Sequence, residues 1–285
     1  MRALILVPDP AFPESSAWAL DVEAAALRDS GIAVVARPWT DIGDIDGIDV
    51  VLPLVAWGYQ FDTARWLGLI DTLEAAAPFT LNPVPVLRWN SDKAYLIDLA
   101  KAGVPTIPTL RYESFDEAAL GDARQRFAGD IVIKPPVSAA AYDTYRLGPA
   151  DPLPPAAMGR AMLAQPFLRA VQDEGEYSLL FFGGAFSHAL VKRPKRGDYR
   201  VQPHLGGRET LCDPPEGAIA LAEAALAAAP ERCAYARVDL LRDDQGALRV
   251  IELELIEPAL WLDFSPSAPA AFASAVRAAV EAARQ

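Results

Sequence analysis

Basic charge is what this chain lacks most clearly: 26 lysines and arginines stand against 38 aspartates and glutamates, a net charge of −12. A general nucleic-acid binder needs a basic footprint, so that class is excluded. A nucleotide is not excluded, because a few local lysines suffice to hold one. Cysteine is scarce too. Cys212 and Cys233 form no metal-ligand or redox pattern and read as ordinary reduced thiols. No apolar run reaches membrane-spanning length, and the apolar start, Ala3 to Val7, is too short for a signal peptide and lacks a cleavage region. The expected setting is therefore a soluble, cytoplasmic protein with no membrane contact. Of the two histidines, His188 lies between apolar strand neighbours and reads as structural. His204, near a glycine pair, is open between a loop role and a substrate contact. No activated serine or cysteine accompanies them, so no nucleophilic triad is expected.

What is present is apolar and periodic. The 285 residues are 52% hydrophobic, enough for one large domain or about two to three small ones. Arg2–Val7, Ile32–Ala36 and Asp49–Leu54 read as strands, alternating with helices over Ala17–Ser30 and Ala64–Ala76. That alternation predicts a parallel, doubly wound α/β sheet ending near Pro83–Pro85. It carries no glycine-rich dinucleotide fingerprint, so no nicotinamide cofactor is assigned to it. A helix is expected over Ser91–Ala102, capped by Asn90 or Ser91, then a short strand over Ile131–Lys134 and a proline-rich connector over Pro149–Pro155. Beyond it the pattern changes to strand pairs. Tyr177–Phe182 and Ala185–Val191 flank Gly183-Gly184, a strong hairpin turn. Helices follow over Glu216–Ala229 and Pro269–Arg284, on either side of a second hairpin spanning Ala236–Leu255.

That second hairpin carries the acids. Side chains alternate faces along a strand, so Glu252 and Glu254 share one face and Ile251 and Leu253 the other. A four-residue turn over Asp244–Ala247 pairs Asp243 with Leu248, Asp239 with Glu252 and Arg237 with Glu254. Three carboxylates and one guanidinium then crowd one face. A hard divalent cation resolves the repulsion among them, and magnesium favours carboxylate and phosphate oxygens. A solvated acidic face, with Arg237 merely pairing Glu254, explains the hairpin alone equally well.

Other residues shift that balance. Lys93 stands near a helix start. Lys134 ends a strand before the small-residue loop Pro135-Pro-Val-Ser-Ala-Ala-Ala-Tyr-Asp-Thr144, a place where a lysine and backbone N–H groups can meet phosphates. Gln165-Pro-Phe-Leu168, Glu176 and Lys192 follow in order. That order resembles the ATP-grasp superfamily from about Lys93 to Leu262. Within it, Gly197-Asp-Tyr-Arg-Val-Gln202 with Gly206-Gly207 resembles the glutathione synthetase-like and ribosomal-protein glutamate ligase branch. Arg237-Val-Asp239 and Glu252-Leu-Glu254 resemble the magnesium segments of D-alanine–D-alanine ligases. Leu87-Arg-Trp-Asn-Ser-Asp-Lys93 and Glu252–Pro258 are similar to cycloserine-pathway cyclo-ligases.

The resemblance implies an N-terminal α/β domain over residues 1–86, a central ATP-grasp subdomain over 87–163 and a C-terminal one over 164–285, the last two built on antiparallel sheets. It implies that Lys93, Lys134 and the Ser138 loop meet the ATP phosphates, Gln165 with the backbone of Phe167 and Leu168 the adenine, and Glu176 the ribose. Lys192 and Arg200 would approach the γ-phosphate or substrate carboxylate, and Arg237 would stabilise developing charge. Asp239, Glu252 and Glu254 would hold magnesium, or manganese in its place. The implied activity is ATP-dependent ligation of a small carboxylate to an amine through an acyl phosphate, within one molecule or between two. A small-molecule kinase and a non-catalytic ATP-binding regulator are the alternatives. The chain departs from the family at Glu254, where many members have Asn, and at Ala139–Ala141, where glycines are usual. Trp57-Gly-Tyr59 and Arg88-Trp89-Asn90 are candidates for the acceptor site. A homodimer is the default assembly.

Overall fold

The strand β1 (Arg2–Val7) is the axis of the first layer, with β2 (Ala33–Pro38) on one side and β3 (Val50–Leu52) on the other, all parallel. It is buried on both faces. Ala3 and Ile5 pack with α1 (Ala17–Asp29), while Leu4 and Leu6 pack against Trp66 of α2 (Thr63–Ala76). Helices on both faces make this the doubly wound sheet its alternation predicts. The computed structural model describes residues 1–76 and 78–284. Among these, no helix is long and apolar enough to cross a membrane.

The next stretch departs from expectation. In place of one helix over Ser91–Ala102 there are two, α3 (Val84–Asn90) and α4 (Tyr95–Lys101). The prolines that read as a boundary instead start α3, where a missing N–H costs nothing. The break between the helices has a long-range cause: the Lys93 N–H donates to Pro136 O at 2.8 Å, tying the turn to the loop after Lys134. The strand β4 (Leu110–Tyr112) and helix α5 (Glu117–Arg126) come next, followed by β5 (Ile131–Lys134), β6 (Tyr145–Leu147) and β7 (Met162–Pro166). The four strands form an antiparallel sheet in the order β4-β7-β5-β6. Phe115, Leu120 and Ala123 pack against Ile131, Ile133 and Met162 on one face, leaving Val132, Lys134 and Gln165 toward the other.

The short helix α6 (Ala170–Asp173) leads into the largest sheet: β8 (Glu176–Phe182), β9 (Ala185–Arg193), β10 (Arg208–Cys212), β11 (Tyr235–Arg242) and β12 (Leu248–Glu254). Its order is β10-β9-β8-β11-β12, antiparallel throughout. Leu179, Phe181, Val238 and Leu240 face α7 (Ala218–Ala227) and α4. On the opposite face, Leu180 and Phe182 pack with Phe272 of α8 (Ala268–Ala283) beneath the first layer, while Glu176 and Ser178 continue the same row toward a cleft. One face of this sheet is thus apolar at one end and charged at the other.

The β11–β12 hairpin keeps the predicted pairing where the acids are: Asp239 faces Glu252 and Arg237 faces Glu254. Near the turn the register differs by one, with Arg242 opposite Leu248 in place of Asp243. Asp243 closes the turn itself: its carboxylate accepts the N–H groups of Gln245 and Ala247 at 3.0 and 2.9 Å. A bulge after Asp239 absorbs the slip. Ile251 therefore does not share the apolar face. Val250 takes that place, fully buried, and Ile251 lines the cleft beside Glu252.

The strand β12 is an edge of this sheet, yet its outer groups are satisfied. The Tyr95 hydroxyl accepts from the Leu253 N–H at 2.8 Å and donates to its carbonyl at 2.9 Å. Asn90 bridges the Leu253 carbonyl and the Leu255 N–H, each at 3.0 Å. Asn82 donates to the carbonyls of Leu255 and Tyr235, at 2.7 and 2.9 Å. Side chains here do the work of a sixth strand, and they fix the backbone that carries Glu252 and Glu254. Asn90, a candidate acceptor residue by sequence, makes its bonds to this edge.

Candidate active site

Asp239 is the centre of the charged face. Its Oδ1 accepts from Ser178 Oγ at 2.6 Å and Arg237 Nε at 3.0 Å, and its Oδ2 from Lys192 Nζ at 3.0 Å. Burial pushes this carboxyl up, but Arg237 and Lys192 outweigh burial and hold it well below the usual carboxylate range. Arg237 also pairs with Glu254, Lys93 with Glu252, and Lys192 with Glu176. For Glu252, Lys93 and Lys134 overcome burial and lower the pKa. Glu254 is different. Burial pushes it up to about 7; Arg237 opposes this, and the charges on Glu252 and Asp239 reinforce it.

Carboxylate oxygens of Asp239, Glu252 and Glu254 all lie within 4.8 Å of one another. The donors are hard oxygens, and the third acid is pushed toward neutrality by burial and by the charges of the other two. Such a set fits a hard divalent cation.

Two contiguous cavities meet at this face. The smaller, of 180 Å³, lies between the central sheet and the large sheet. Every residue expected from the sequence to bind ATP, hold metal or act in catalysis borders it, Arg200 and Leu168 included. Lys134 stands there without an ion-pair partner among the described residues, and burial lowers its pKa. The Gln165 amide donates to Thr109 Oγ1 at 3.0 Å, which fixes its side chain at the cavity wall. The Arg146 guanidinium covers the Phe167 ring at 3.7 Å. Ser138 Oγ donates to the Tyr142 carbonyl at 2.9 Å, closing a turn in which Ala140 and Ala141 take φ of 52° and 60°. Alanines thus adopt the left-handed conformation that glycines usually supply. Arg200 is held at the rim by Asp198, with Nη2–Oδ2 at 2.9 Å. The glycine pair behind it has a steric reason: a Cβ on Gly207 would meet the Val201 carbonyl oxygen at 1.9 Å.

The larger cavity, of 670 Å³, opens toward the N-terminal layer. It shares Lys93, Lys192, Arg237, Glu252 and Glu254 with the first. Trp57, Tyr59 and His204 line it, as does Asn90. Arg88 instead pairs with Asp71 and Glu74 at the surface. His188 is buried beside Phe182, with its Nδ1 at 3.0 Å from Ser187 Oγ.

Sequence reasoning missed three residues here. Ser178, two positions after Glu176 on a strand of large apolar residues, was detectable by alternation. Trp261, at φ 43°, places its ring 5.0 Å from the Arg237 guanidinium and 5.9 Å from the Lys192 amine, a contact no local pattern announces. Glu257, which the sequence reading gave no role, lies in the run Glu252–Pro258 and lines the larger cavity, and burial pushes its carboxyl up to about 8.

The family described as D-cycloserine synthetase DcsG, N-terminal domain, matches residues 5–82. The cycloserine biosynthesis protein DcsG of Streptomyces lavendulae is 33% identical over 275 residues, spanning 88% of this chain and 90% of that protein. A crystal structure of D-cycloserine synthetase DcsG is similar with a TM-score of 0.85 at 28% identity, covering 98% of this chain and 100% of that one. D-alanine–D-alanine ligase from Bacillus anthracis shares the fold, with a TM-score of 0.72 at 16% identity and coverage of 99% and 98%. Fold, cleft and relatives define the class: this is an ATP-grasp enzyme, an ATP-dependent ligase that forms carbon–nitrogen bonds. Within that class, the chain belongs to the family of the cycloserine biosynthesis protein DcsG.

Proposed function

We propose that the enzyme activates the carboxyl group of a small amino-acid derivative as an acyl phosphate and joins it to an amine. Ring closure within one molecule is the form that the likeness to cycloserine synthetase favours. The observation that carries this reading is the position of Arg237, which borders both cavities while bonded to Asp239 and Glu254. A group serving nucleotide binding alone would not need to face the second cavity.

A carboxylate repels nucleophiles, and γ-phosphoryl transfer gives it a leaving group. That transfer depends on positioning and charge neutralisation more than on covalent help. Lys134, half-buried and without an ion-pair partner among the described residues, supplies a cation for the α- and β-phosphates, and Lys93 stands beside it. Gln165, the backbone of Phe167 and Leu168, and Glu176 form the nucleoside end. Asp239, Glu252 and Glu254 would hold magnesium, or manganese, which when bound supplies charge neutralisation at the phosphates. Lys192 sits at the junction, where the transferred group meets the substrate carboxylate. Arg237 stabilises the oxyanion when the amine attacks the carbonyl carbon and phosphate departs. Arg200 lies at the cavity rim, and release of Asp198 would free it for the γ-phosphate.

Hydroxylamine added to enzyme, ATP and a carboxylate panel tests the intermediate. An acyl phosphate yields a hydroxamate. ATP consumption that leaves a stable phosphorylated product and no hydroxamate would favour a kinase on the same scaffold.

A further inference from the structure

Arg237 is the cation whose bonds leave it least choice. A guanidinium holds its N–H donors in one plane. Its Nε donates to Asp239 at 3.0 Å and its Nη2 to Asp239 at 3.1 Å, and Nη2 also pairs with Glu254. Nη1 is the edge left for a substrate oxygen. Bonds along one edge fix the direction of the fork but leave it free to tilt out of its plane. A group lying against its face stops that tilt, and Trp261 lies there. The ring centroid is 5.0 Å from the guanidinium carbon and 5.9 Å from the Lys192 amine. Both distances fall within the roughly 6 Å reach of cation–π attraction, which strengthens when water is excluded. Trp261 is only 7% exposed, so the contact is largely desolvated.

Trp261 keeps this place against its own backbone preference. Its φ of 43° and ψ of 46° are left-handed, a rare setting for a bulky side chain. Such strain persists only where the surrounding structure over-determines it, and it gathers where geometry serves a function. Leu260 and Leu262, on either side, are buried in the core beneath the first layer, and the Phe264 N–H donates to the Trp261 carbonyl at 3.0 Å. The indole N–H donates to Glu209 Oε2 at 2.8 Å. Glu209 stands on β10 directly opposite Lys192 and borders the larger cavity. It has no ion-pair partner among the described residues, and its side chain bonds the indole instead. An acid beside the charged face thus holds a ring rather than a cation.

We propose that Trp261 is a positioning residue for Arg237: anchored by Glu209, its ring holds the guanidinium flat so that Nη1 meets the oxyanion formed when the amine attacks. The oxyanion rests on the ligase reading above. The hold of the ring on Arg237 does not.

The test uses the full chain with magnesium, ATP and hydroxylamine, and with D-alanine, D-serine or β-alanine as the carboxylate. The hydroxylamine nitrogen bonds to the carbonyl carbon of the acyl phosphate, the carbon–oxygen bond to phosphate breaks, and a proton passes from nitrogen to solvent. Trp261→Leu should lower kcat for hydroxamate about 10- to 100-fold, as a small misplacement of a catalytic group does. KM for the carboxylate and calorimetric affinity for a non-hydrolysable ATP analogue should keep their wild-type values. Glu209→Ala should lower kcat in the same direction. Glu209→Gln, whose amide oxygen still accepts the indole N–H, should restore it. In an Arg237→Ala background, Trp261→Leu should have no further effect, since it acts through the guanidinium. Unchanged kcat in Trp261→Leu or Glu209→Ala, a loss confined to the carboxylate KM, or a full further loss in the Arg237→Ala background overturns the proposal. Urea unfolding of wild type, both single variants and the Trp261→Leu, Arg237→Ala double variant gives the coupling without turnover. It should be about 2- to 30-fold in the unfolding constant, the range of a cation–π contact. Zero coupling also overturns the proposal. Coupling in urea with no hydroxamate from wild type would sink the ligase reading and leave Trp261 as the residue that holds Arg237.

Discussion

The two walls proposed to meet a nucleotide are built in opposite ways. The β11–β12 hairpin is determined many times over: ladder bonds on one side, Asn82, Asn90 and Tyr95 on the other, and a cation beside each acid. The loop over residues 135–144 is held mainly by turn bonds within itself, such as Tyr142 N–H to Ala139 O, and by Arg160 on Asp143, and Ala140 and Ala141 sit in a conformation that costs an L-residue roughly 1–2 kcal/mol. The hairpin is arranged before any ligand arrives. The loop stores strain where phosphates would be covered. Preorganised charge and an adaptable cover would divide the task of binding between them.

Asp239→Ala should have the largest effect. It removes the shared counter-charge of Lys192 and Arg237 in a buried site, and breaking such a pair costs about 3–5 kcal/mol. Denaturant unfolding should show that loss, and calorimetry should show magnesium-dependent ATP binding abolished. An unchanged unfolding midpoint would mean the hairpin is not the rigid wall. Arg237→Ala comes next: turnover should fall about 100- to 1000-fold, the range for a lost oxyanion donor, with nucleotide binding retained. Normal turnover by a folded variant would reject its role. Asn90→Ala should cost about 1–3 kcal/mol, because it leaves buried groups of Leu253 and Leu255 unsatisfied. Its effect on metal affinity would measure how far that edge positions Glu252 and Glu254.

A pH series sharpens the same comparison. Glu176 and Glu254, both near 7, Glu257, near 8, and the buried Glu23 all have folded pKa values above the ordinary 4.5. An acid so raised contributes stability that is complete below about pH 4.5 and lost as pH climbs through its folded pKa. Asp239 and Glu252, being lowered, contribute stability that is lost below about pH 4. Metal-free protein should therefore be most stable near about pH 4–5, between these two limits, and weaken toward pH 8. Magnesium should offset part of the loss at pH 8, and its affinity should rise severalfold from pH 6 to 8 as Glu254 ionises. A flat melting profile from pH 5 to 8 would contradict this electrostatic account.

The hairpin was also the more legible region. Alternation placed Glu252 and Glu254 together, and Asp243-Asp244-Gln245-Gly246 marked the turn, so the pairing of Asp239 and Arg237 could be derived. The bulge could not, because it follows from Asp243 capturing two N–H groups across the turn. The α3–α4 break was hidden because its cause, the Pro136 carbonyl, lies far along the chain from Lys93. Strands β4 and β6, of 3 residues each, are too short for a period to show. Glu257 and Trp261 follow the last strand, where no periodicity assigns a side chain to a cavity. Pairing within one hairpin is a local property that sequence carries; closure between distant segments is not.

The smallest expected effect concerns the loop. Ala140→Gly or Ala141→Gly relieves a left-handed alanine, but glycine returns about 0.5–1 kcal/mol of entropy to the unfolded chain. The two nearly cancel, so each variant should be stabilised by no more than about 1 kcal/mol on the left-handed penalty above. Nucleotide affinity should fall slightly if the strained conformation is the one that covers phosphates, since a glycine loop must be ordered on binding. Thermal melts and calorimetric titration of both variants give the two numbers. A destabilisation as large as that of Asn90→Ala would show that the loop is as tightly determined as the hairpin, and the contrast between fixed charge and adaptable cover would fail.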